Sequence, residues 1–337
     1  MKDISVYLVY SIGFLLFIIC FGYMLYFGKQ TFHLDQMEVS NAQDYDYHFV
    51  LIPEEKGSEY WQLVREGAME TAEQHHAYLE YVGGAQTSEE EQFRTLDKAI
   101  DAKVDGILTQ GMEGERFVEL VHLAREKGIP VVTVDADNPK SERNAYVGTD
   151  NFRAGYLAGE AFVKETTGKQ KVAIVIGRSE SLNQQKRIEG FQKAIEHEER
   201  IQVITIEESN ISIVGAAQAT YQALKKHSEI NGFFGTNVLA GIGISQAITQ
   251  TNRQQNPYIV TFDTLPKTLD LMRNGMIDAT IVQHPYRMGK TGIDLLLEAG
   301  NSKYVEPVQY TPSSILYKED IHKAKYGEEY SYEINSQ

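Results

Sequence analysis

The chain has 337 residues, with 32 Lys and Arg against 47 Asp and Glu for a net charge of −15, one cysteine, and 42% hydrophobic residues. A single cysteine rules out an intrachain disulfide and a cysteine-built zinc site, and the acidic balance argues against a nucleic-acid groove, whose affinity comes from clustered Lys and Arg. The length is that of two compact domains or one bilobed unit with ample interior for a core.

Residues 4–27 carry no charge and are dominated by Ile, Leu, Phe and Tyr. As a helix rising about 1.5 Å per residue they reach roughly 36 Å, enough to cross a bilayer with some tilt. The run is longer than the apolar core of a secretory signal, and no small-x-small cleavage site follows it, which favours a retained anchor over residues 1–29. Cys20 lies between Ile19 and Phe21, where a lipidation signal needs small neighbours, so it reads as a buried thiol. Lys2 is offset by Asp3 and Lys29 stands alone, so charge bias does not orient the span. Tyr7, Tyr10, Tyr23 and Tyr26 fit aromatic belts at both ends. Residues 30–45 lack periodicity and read as a polar stalk.

From residue 46 onward, short β-rich runs alternate with segments of helical period. HFVLIP precedes a helix with Tyr60, Val64, Gly67, Ala68 and Ala72 on one face. YLEYVGG precedes a helix with Phe93, Leu96 and Ile100, opened by the capping box Ser88 and Glu91. VDGILTQ leads to Phe117, Leu120, Val121 and Ala124, a helix ended by Gly128 with Pro130 beyond, and then to VVTVD. After AYVGTDN the rhythm restarts: KVAIVIG, IQVITI, GFFGTN, YIVTFD and MIDATIVQ alternate with helices that include 238–252 and 266–273. Two such sets imply two doubly wound parallel-sheet lobes, an α/β class in which sites form at the carboxyl ends of strands.

That rule selects the candidate site. Asp135 ends VVTVD, with Asp137 and Asn138 just behind; Asn237 ends GFFGTN, Asp263 ends YIVTFD, Gln283 ends TIVQ, and Tyr60 with Trp61, the only tryptophan, opens the first helix after HFVLIP. Carboxylates accept paired hydroxyl hydrogen bonds, amides donate and accept, and an aromatic face covers the apolar side of a pyranose ring. Taken singly, a terminal Asp is usually a cap and a Tyr or Trp usually core; the shared topological position is what points to a neutral polyol such as a sugar.

An enzyme would need chemistry that is not visible. No GxSxG elbow, phosphate loop or HExxH pair occurs, and the GIG at 241–243 has Gln246 where a dinucleotide fingerprint needs its third glycine. The adjacent His75 and His76 point to different helix faces and make no metal pair. Asp135 and Asp263 as a glycosidase pair is a minor option on a bilobed fold. Neither catalysis, nor a cofactor, nor a metal is expected.

The strings SEYWQLVREGAMETA, VDGILTQG, GIPVVTVDADNPKSERNAYVGTDNFRAGYLAGE, KRIEGF, FFGTN, IVTFD and TIVQHPYRMG, in this order and spacing, resemble the type 1 periplasmic sugar-binding proteins, the ribose- and xylose-binding group whose fold LacI-type repressor cores share. The resemblance runs from about residue 47 to 318. It implies two lobes joined by three hinge crossovers, closing over a monosaccharide. It further implies that Tyr60 and Trp61 sandwich the ring, that Ser58 stands where an Asn often binds a hydroxyl, and that Asp135, Asn237, Asp263 and Gln283 are ligand contacts. Ala136 and Gln185 stand where family members carry ligand-binding Arg, so Asn183 or Arg187 is expected to supply the donor.

The lobes are expected at 46–148 plus 285–311 and at 149–283 plus 312–330, with a tail at 331–337. A repressor would need a helix-turn-helix where this chain has its apolar run. The anchor resembles a membrane-tethered branch of the family that docks on the extracytoplasmic part of a histidine kinase. The expected protein is thus an extracytoplasmic sugar receptor signalling to such a kinase, or alternatively the capture subunit of an ABC permease.

Overall fold

A computed structural model describes residues 14–15, 17–18, 21–23, 45–84, 88–251, 257–301 and 303–323. The chain forms two compact units, residues 1–44 and 45–337. In the first, the described residues are helical, and Phe14, Leu15, Phe17, Ile18, Phe21 and Tyr23 expose their side chains. Most of the expected span at 4–27, the stalk and the tail lie outside the described residues. Among those described, no helix is long and apolar enough to cross a membrane.

The second unit alternates strand and helix. Its first half contains β1 (Tyr47–Ile52), α1 (Glu59–Gln74), β2 (Ala77–Tyr81), α2 (Glu89–Asp101), β3 (Gly106–Gln110), α3 (Glu115–Glu126), β4 (Val131–Val134) and β5 (Ala145–Thr149). The next half follows with α4 (Asn151–Glu165), β6 (Gln170–Ile176), α5 (Leu182–Ile195), β7 (Ile201–Glu208), α6 (Ile213–Lys226), β8 (Gly232–Gly235), α7 (Val238–Gln250), β9 (Tyr258–Phe262), α8 (Pro266–Arg273) and β10 (Ala279–Val282). α9 (Pro285–Gly300), β11 (Val308–Thr311) and β12 (Ser314–Tyr317) close it.

The strands build two six-stranded sheets, ordered β11-β5-β4-β3-β1-β2 and β12-β10-β9-β8-β6-β7. The orders correspond position by position, so the lobes repeat one topology, and the chain passes between sheets after β5, after β10 and after β11. β3, β4, β5 and β10 are buried along their length, as strands covered on both faces by helices must be. One strand departs from the expected parallel sheets: β12 runs antiparallel to β10. Residues 312–313 are all that separate it from β11, too short for the crossover a parallel return needs.

Helix boundaries follow local chemistry. Ser88 accepts from the Glu91 amide at 3.4 Å, Asp150 from Arg153 at 2.9 Å, Ser212 from Gly215 at 3.0 Å and Asn237 from Ala240 at 2.9 Å, each satisfying a first-turn donor. Pro266 and Pro285 occupy first-turn positions of α8 and α9. The cores are aliphatic and aromatic, with Leu51, Val64, Leu108 and Leu296 in one lobe and Phe162, Phe191, Phe234 and Phe262 in the other.

Candidate functional site

The carboxyl ends of both sheets meet at a cavity of about 340 Å³ lined by residues of both lobes, within the size range of small-molecule sites. Ser58, Tyr60, Trp61, Asp135, Asn183, Arg187, Asn237, Asp263 and Gln283 all line it.

Asp135 follows β4 and Asp263 follows β9, the third strand of each sheet order, and both adopt the left-handed backbone at φ +68°. That region is costly for most L-residues and more accessible to Asp. Neighbouring strands hold both residues in it. Asp135 N donates to Val147 O at 3.1 Å, and the Asp135 carbonyl accepts from the Tyr146 hydroxyl at 2.9 Å. Asp263 N donates to Ile281 O at 2.8 Å, and its carbonyl accepts from the Thr280 hydroxyl at 2.8 Å. Both side chains are buried at the cavity wall.

The two carboxylates are tied in different ways. Tyr60 donates its hydroxyl to Asp135 Oδ1 at 2.6 Å, while Gln283 Nε2 donates to Asp263 Oδ1 at 2.8 Å. Burial raises both above the ordinary carboxylate range, Asp263 to about 6, and the Arg187 guanidinium partly offsets this. Burial, then the Asp135 charge, pushes the partly buried Glu54 up to about 7. Burial also holds the Tyr60 hydroxyl well above its usual value, so it remains a donor.

Arg187, on α5, is 3% exposed and anchored at three points. Nε donates to Asn151 Oδ1 at 2.8 Å, Nη1 to Thr236 O at 2.7 Å and Nη2 to Gln283 Oε1 at 2.9 Å. Its plane lies over the Phe262 ring, 3.9 Å from the centroid, a cation–π contact. Of five N–H donors three are taken among the described residues, leaving two for a ligand. Gln283 Oε1 also accepts from Thr149 at 2.8 Å, so Arg187 and Gln283 join the carboxyl ends of β5 and β10, where the chain changes lobes.

Amides complete the polar wall. Asn237 donates to Gln184 Oε1 at 3.1 Å, which also takes the Gly177 amide at 2.6 Å and the Thr236 hydroxyl at 2.7 Å. Asn183 Oδ1 accepts from Ser181 Oγ at 2.6 Å and from the Gln184 amide at 2.8 Å. Ser58 sits at the N-cap of α1 without using its side chain as a cap. The apolar wall consists of Tyr60 and Trp61 with Ile211, Ile213, Val238, Leu239, Ile242 and Leu265.

Two expectations are corrected. Tyr60 and Trp61 do not bracket a ring: their centroids are 6.0 Å apart with planes at 83°, because consecutive helical residues point in different directions. Aliphatic residues of the second lobe lie across the cavity instead. Asp137 is absent from the cavity lining; Arg143 grips its carboxylate at 2.6 and 2.8 Å and the Thr133 hydroxyl donates to it at 2.8 Å. Gln185, at a position where an Arg is common, gives its amide to Ser179 O, while Arg187 two residues on occupies the cavity.

Sequence reasoning missed Glu54 and Gln184. Glu54 follows the carboxyl end of β1 and obeys the same rule that found Asp135, so it was legible. Gln184 sits in the first turn of α5, where a Gln reads as solvated surface. Among the described residues, no cluster of three or more His, Cys, Asp or Glu could hold a metal ion.

The model of the periplasmic binding protein domain matches residues 49–303. The crystal structure of GanP, a glucose-galactose binding protein from Geobacillus stearothermophilus, is 45% identical with a TM-score of 0.79, covering 81% of this chain and 98% of GanP. The XylFII-LytSN complex contains a chain 34% identical with a TM-score of 0.76, covering 81% of this chain and 98% of that one. The D-allose-binding periplasmic protein of Escherichia coli (strain K12) is 24% identical over 230 residues, 66% of this chain and 74% of the relative.

Proposed function

The chain belongs to the family of periplasmic binding protein domains, and from that premise we propose that it is a receptor for one monosaccharide, xylose, ribose or a related aldose, held between its lobes. The residues 4–27 run anchors it with the folded unit outside the cytoplasm, and the partner that reads its closure is the extracytoplasmic domain of a histidine kinase. The observation that carries the sugar reading is the placement of Asp135 and Tyr60 from one lobe opposite Asn237, Asp263 and Arg187 from the other around one cavity. Carboxylate oxygens, amides and two remaining guanidinium donors match the mixed donor and acceptor character of sugar hydroxyls. The kinase arm is supported by likeness to XylFII, which is named in a complex with LytSN.

No step of this function is catalytic. Asp135 and Asp263 accept ligand hydroxyls, Arg187 donates, and the aromatic and aliphatic wall covers the C–H face of the ring. Ligand shifts the balance of open and closed forms only by its differential affinity for them, and contacts from both lobes supply that difference.

The test is a titration of the full-length chain in mild detergent with D-xylose, D-ribose, D-allose, D-glucose and D-galactose, read by Trp61 fluorescence. Saturable binding of at least one aldose is expected; none from the whole panel overturns the reading. For the partner, sugar-dependent association with the extracytoplasmic domain of the kinase encoded nearest to the chain is expected. Association with a permease alone identifies an import subunit instead.

A further inference from the structure

Between β7 and α6, the consecutive residues Asn210 and Ile211 adopt left-handed backbone conformations, with φ of +50° and +48°. Asn visits that region readily, whereas a β-branched residue there is an outlier that persists only where its surroundings impose it. The surroundings here do so. Ser209 N donates to Ile176 O at 2.8 Å, Ile211 N to Gly177 O at 3.3 Å and Ser212 N to Ser209 O at 3.2 Å. Just beyond, Ser212 Oγ caps α6 through the Gly215 amide at 3.0 Å.

The result is an aliphatic side chain at the cleft. Beside the 340 Å³ cavity lies a second of about 60 Å³, whose lining includes Gln92, Gln110, Glu113, Asp137 and Arg178. Among the described residues, the two cavities share Glu54 from the first lobe and Ile211 from the second. These two side chains stand where one chamber ends and the other begins.

We infer that Ile211, with Glu54 from the opposite lobe, is the partition that ends the sugar cavity and restricts it to a single unsubstituted ring. This deepens the sugar-receptor reading and rests on it. A ligand extended past the partition would strip water from its glycosidic oxygen and next hydroxyls against the Ile211 side chain, which returns no hydrogen bond, a net loss. The polar chamber behind it offers such bonds once the partition is removed. The strained backbone is retained because it aims Ile211 at the ligand.

The experiment compares the full-length chain with its Asn210→Gly, Ile211→Gly and Ile211→Asn variants. Each is titrated with the five aldoses named above, their methyl glycosides, lactose and cellobiose, and each is melted. Asn210→Gly alters an exposed side chain in a conformation that Asn already adopts readily, so as the control it leaves the melting temperature little changed or slightly lowered and every affinity unchanged. Ile211→Gly relieves the strain of the β-branched residue, but weakens the preferred aldose by about tenfold through lost apolar contact. It also narrows the preference for that aldose over its glycosides by about tenfold, because the chambers join. Ile211→Asn, polar and suited to the left-handed region, reproduces the narrowed preference if the glycine variant does not fold. An unchanged preference in a folded Ile211 variant overturns the partition while leaving sugar binding intact. Failure of the parent chain to bind any aldose removes the receptor reading itself, and the partition with it.

Discussion

At the scale of residues, the site depends on carboxylates kept ready in a buried wall. Asn in place of Asp263 or Asp135 keeps the shape and removes one acceptor, leaving a ligand hydroxyl unmatched. Each change is predicted to weaken sugar binding by about 1–3 kcal/mol with the fold retained, as calorimetric titration alongside circular dichroism checks.

The same burial fixes a pH signature. Asp263 has an ordinary value of 3.8 and is raised to about 6, mainly by burial. Its folded form therefore holds a proton that the unfolded chain has released, and its contribution to stability declines as pH rises from 3.8 towards 6. Glu54 extends the decline towards 7. A sugar hydroxyl donating to the ionised carboxylate reverses the shift, so affinity is predicted to rise with pH up to about 6 and to level off above it, by about tenfold for each pKa unit that the ligand restores. Melting and titration series on the parent chain and the Asp263→Asn variant check this: the variant should show the flatter dependence in both.

Much of this residue set was legible because strand ends in a doubly wound fold converge whatever the rest of the sequence does. What was not legible was competition for the side chains. Asp137 lies two residues from Asp135, yet Arg143 and Thr133 claim it, and nothing in the spacing announces that claim. The aromatic sandwich was a family pattern laid on two consecutive residues of one helix, whose rings cannot face each other across a slot.

At the scale of elements, each lobe contains a tight helix pair that carries cavity residues. A Cβ on Gly155 of α4 would lie 1.9 Å from Arg187 O, and one on Gly190 of α5 would lie 1.9 Å from Phe152 O. In the other lobe, Gly67 of α1 and Gly289 of α9 meet the backbones at Tyr286 and Val64 just as closely. In both lobes the helix that enters from the other lobe packs on the helix carrying cavity residues, Arg187 on α5 and Tyr60 on α1. Gly155→Ala should therefore force the pair apart at Arg187. A stability loss of about 1–3 kcal/mol is predicted, together with weaker sugar binding, measured by denaturant melts and titration of the same variant. Unaltered binding in a destabilised variant would show that the helix contact does not position Arg187.

The alternation of strands and helices was readable from hydrophobic period and turn residues, including α8 at its observed bounds, Pro266–Arg273. The direction of β12 was not, since a four-residue strand carries no signal of which neighbour it will pair with.

At the scale of the whole molecule, the two sheets share an order and the chain crosses between them three times, and the proposed closure is a movement of lobes about those crossings. The ion pair of Glu89 with Arg178, at 3.8 Å, spans the lobes at the smaller chamber beside the sugar cavity. Its side chains are 62% and 28% exposed, and exposed pairs contribute little. Glu89→Ala is accordingly predicted to change sugar affinity by less than about 1 kcal/mol, measured in the same titration that reports the larger loss for Asp263→Asn. The preference for closing then resides in the ligand's contacts and not in the rim. Bilobed organisation was legible in the restart of the rhythm after AYVGTDN; the correspondence between Asp135 and Asp263 emerges only from the sheet orders and the shared backbone conformation.

The most direct test is a crystal structure of the full-length chain with the tightest-binding aldose of the panel. The account predicts one sugar ring in the cavity, its hydroxyls within hydrogen-bond distance of Asp135, Asp263 and Arg187 and its C–H face against the Tyr60 and Trp61 wall. A sugar bound elsewhere, or one touching residues of a single lobe only, would contradict it.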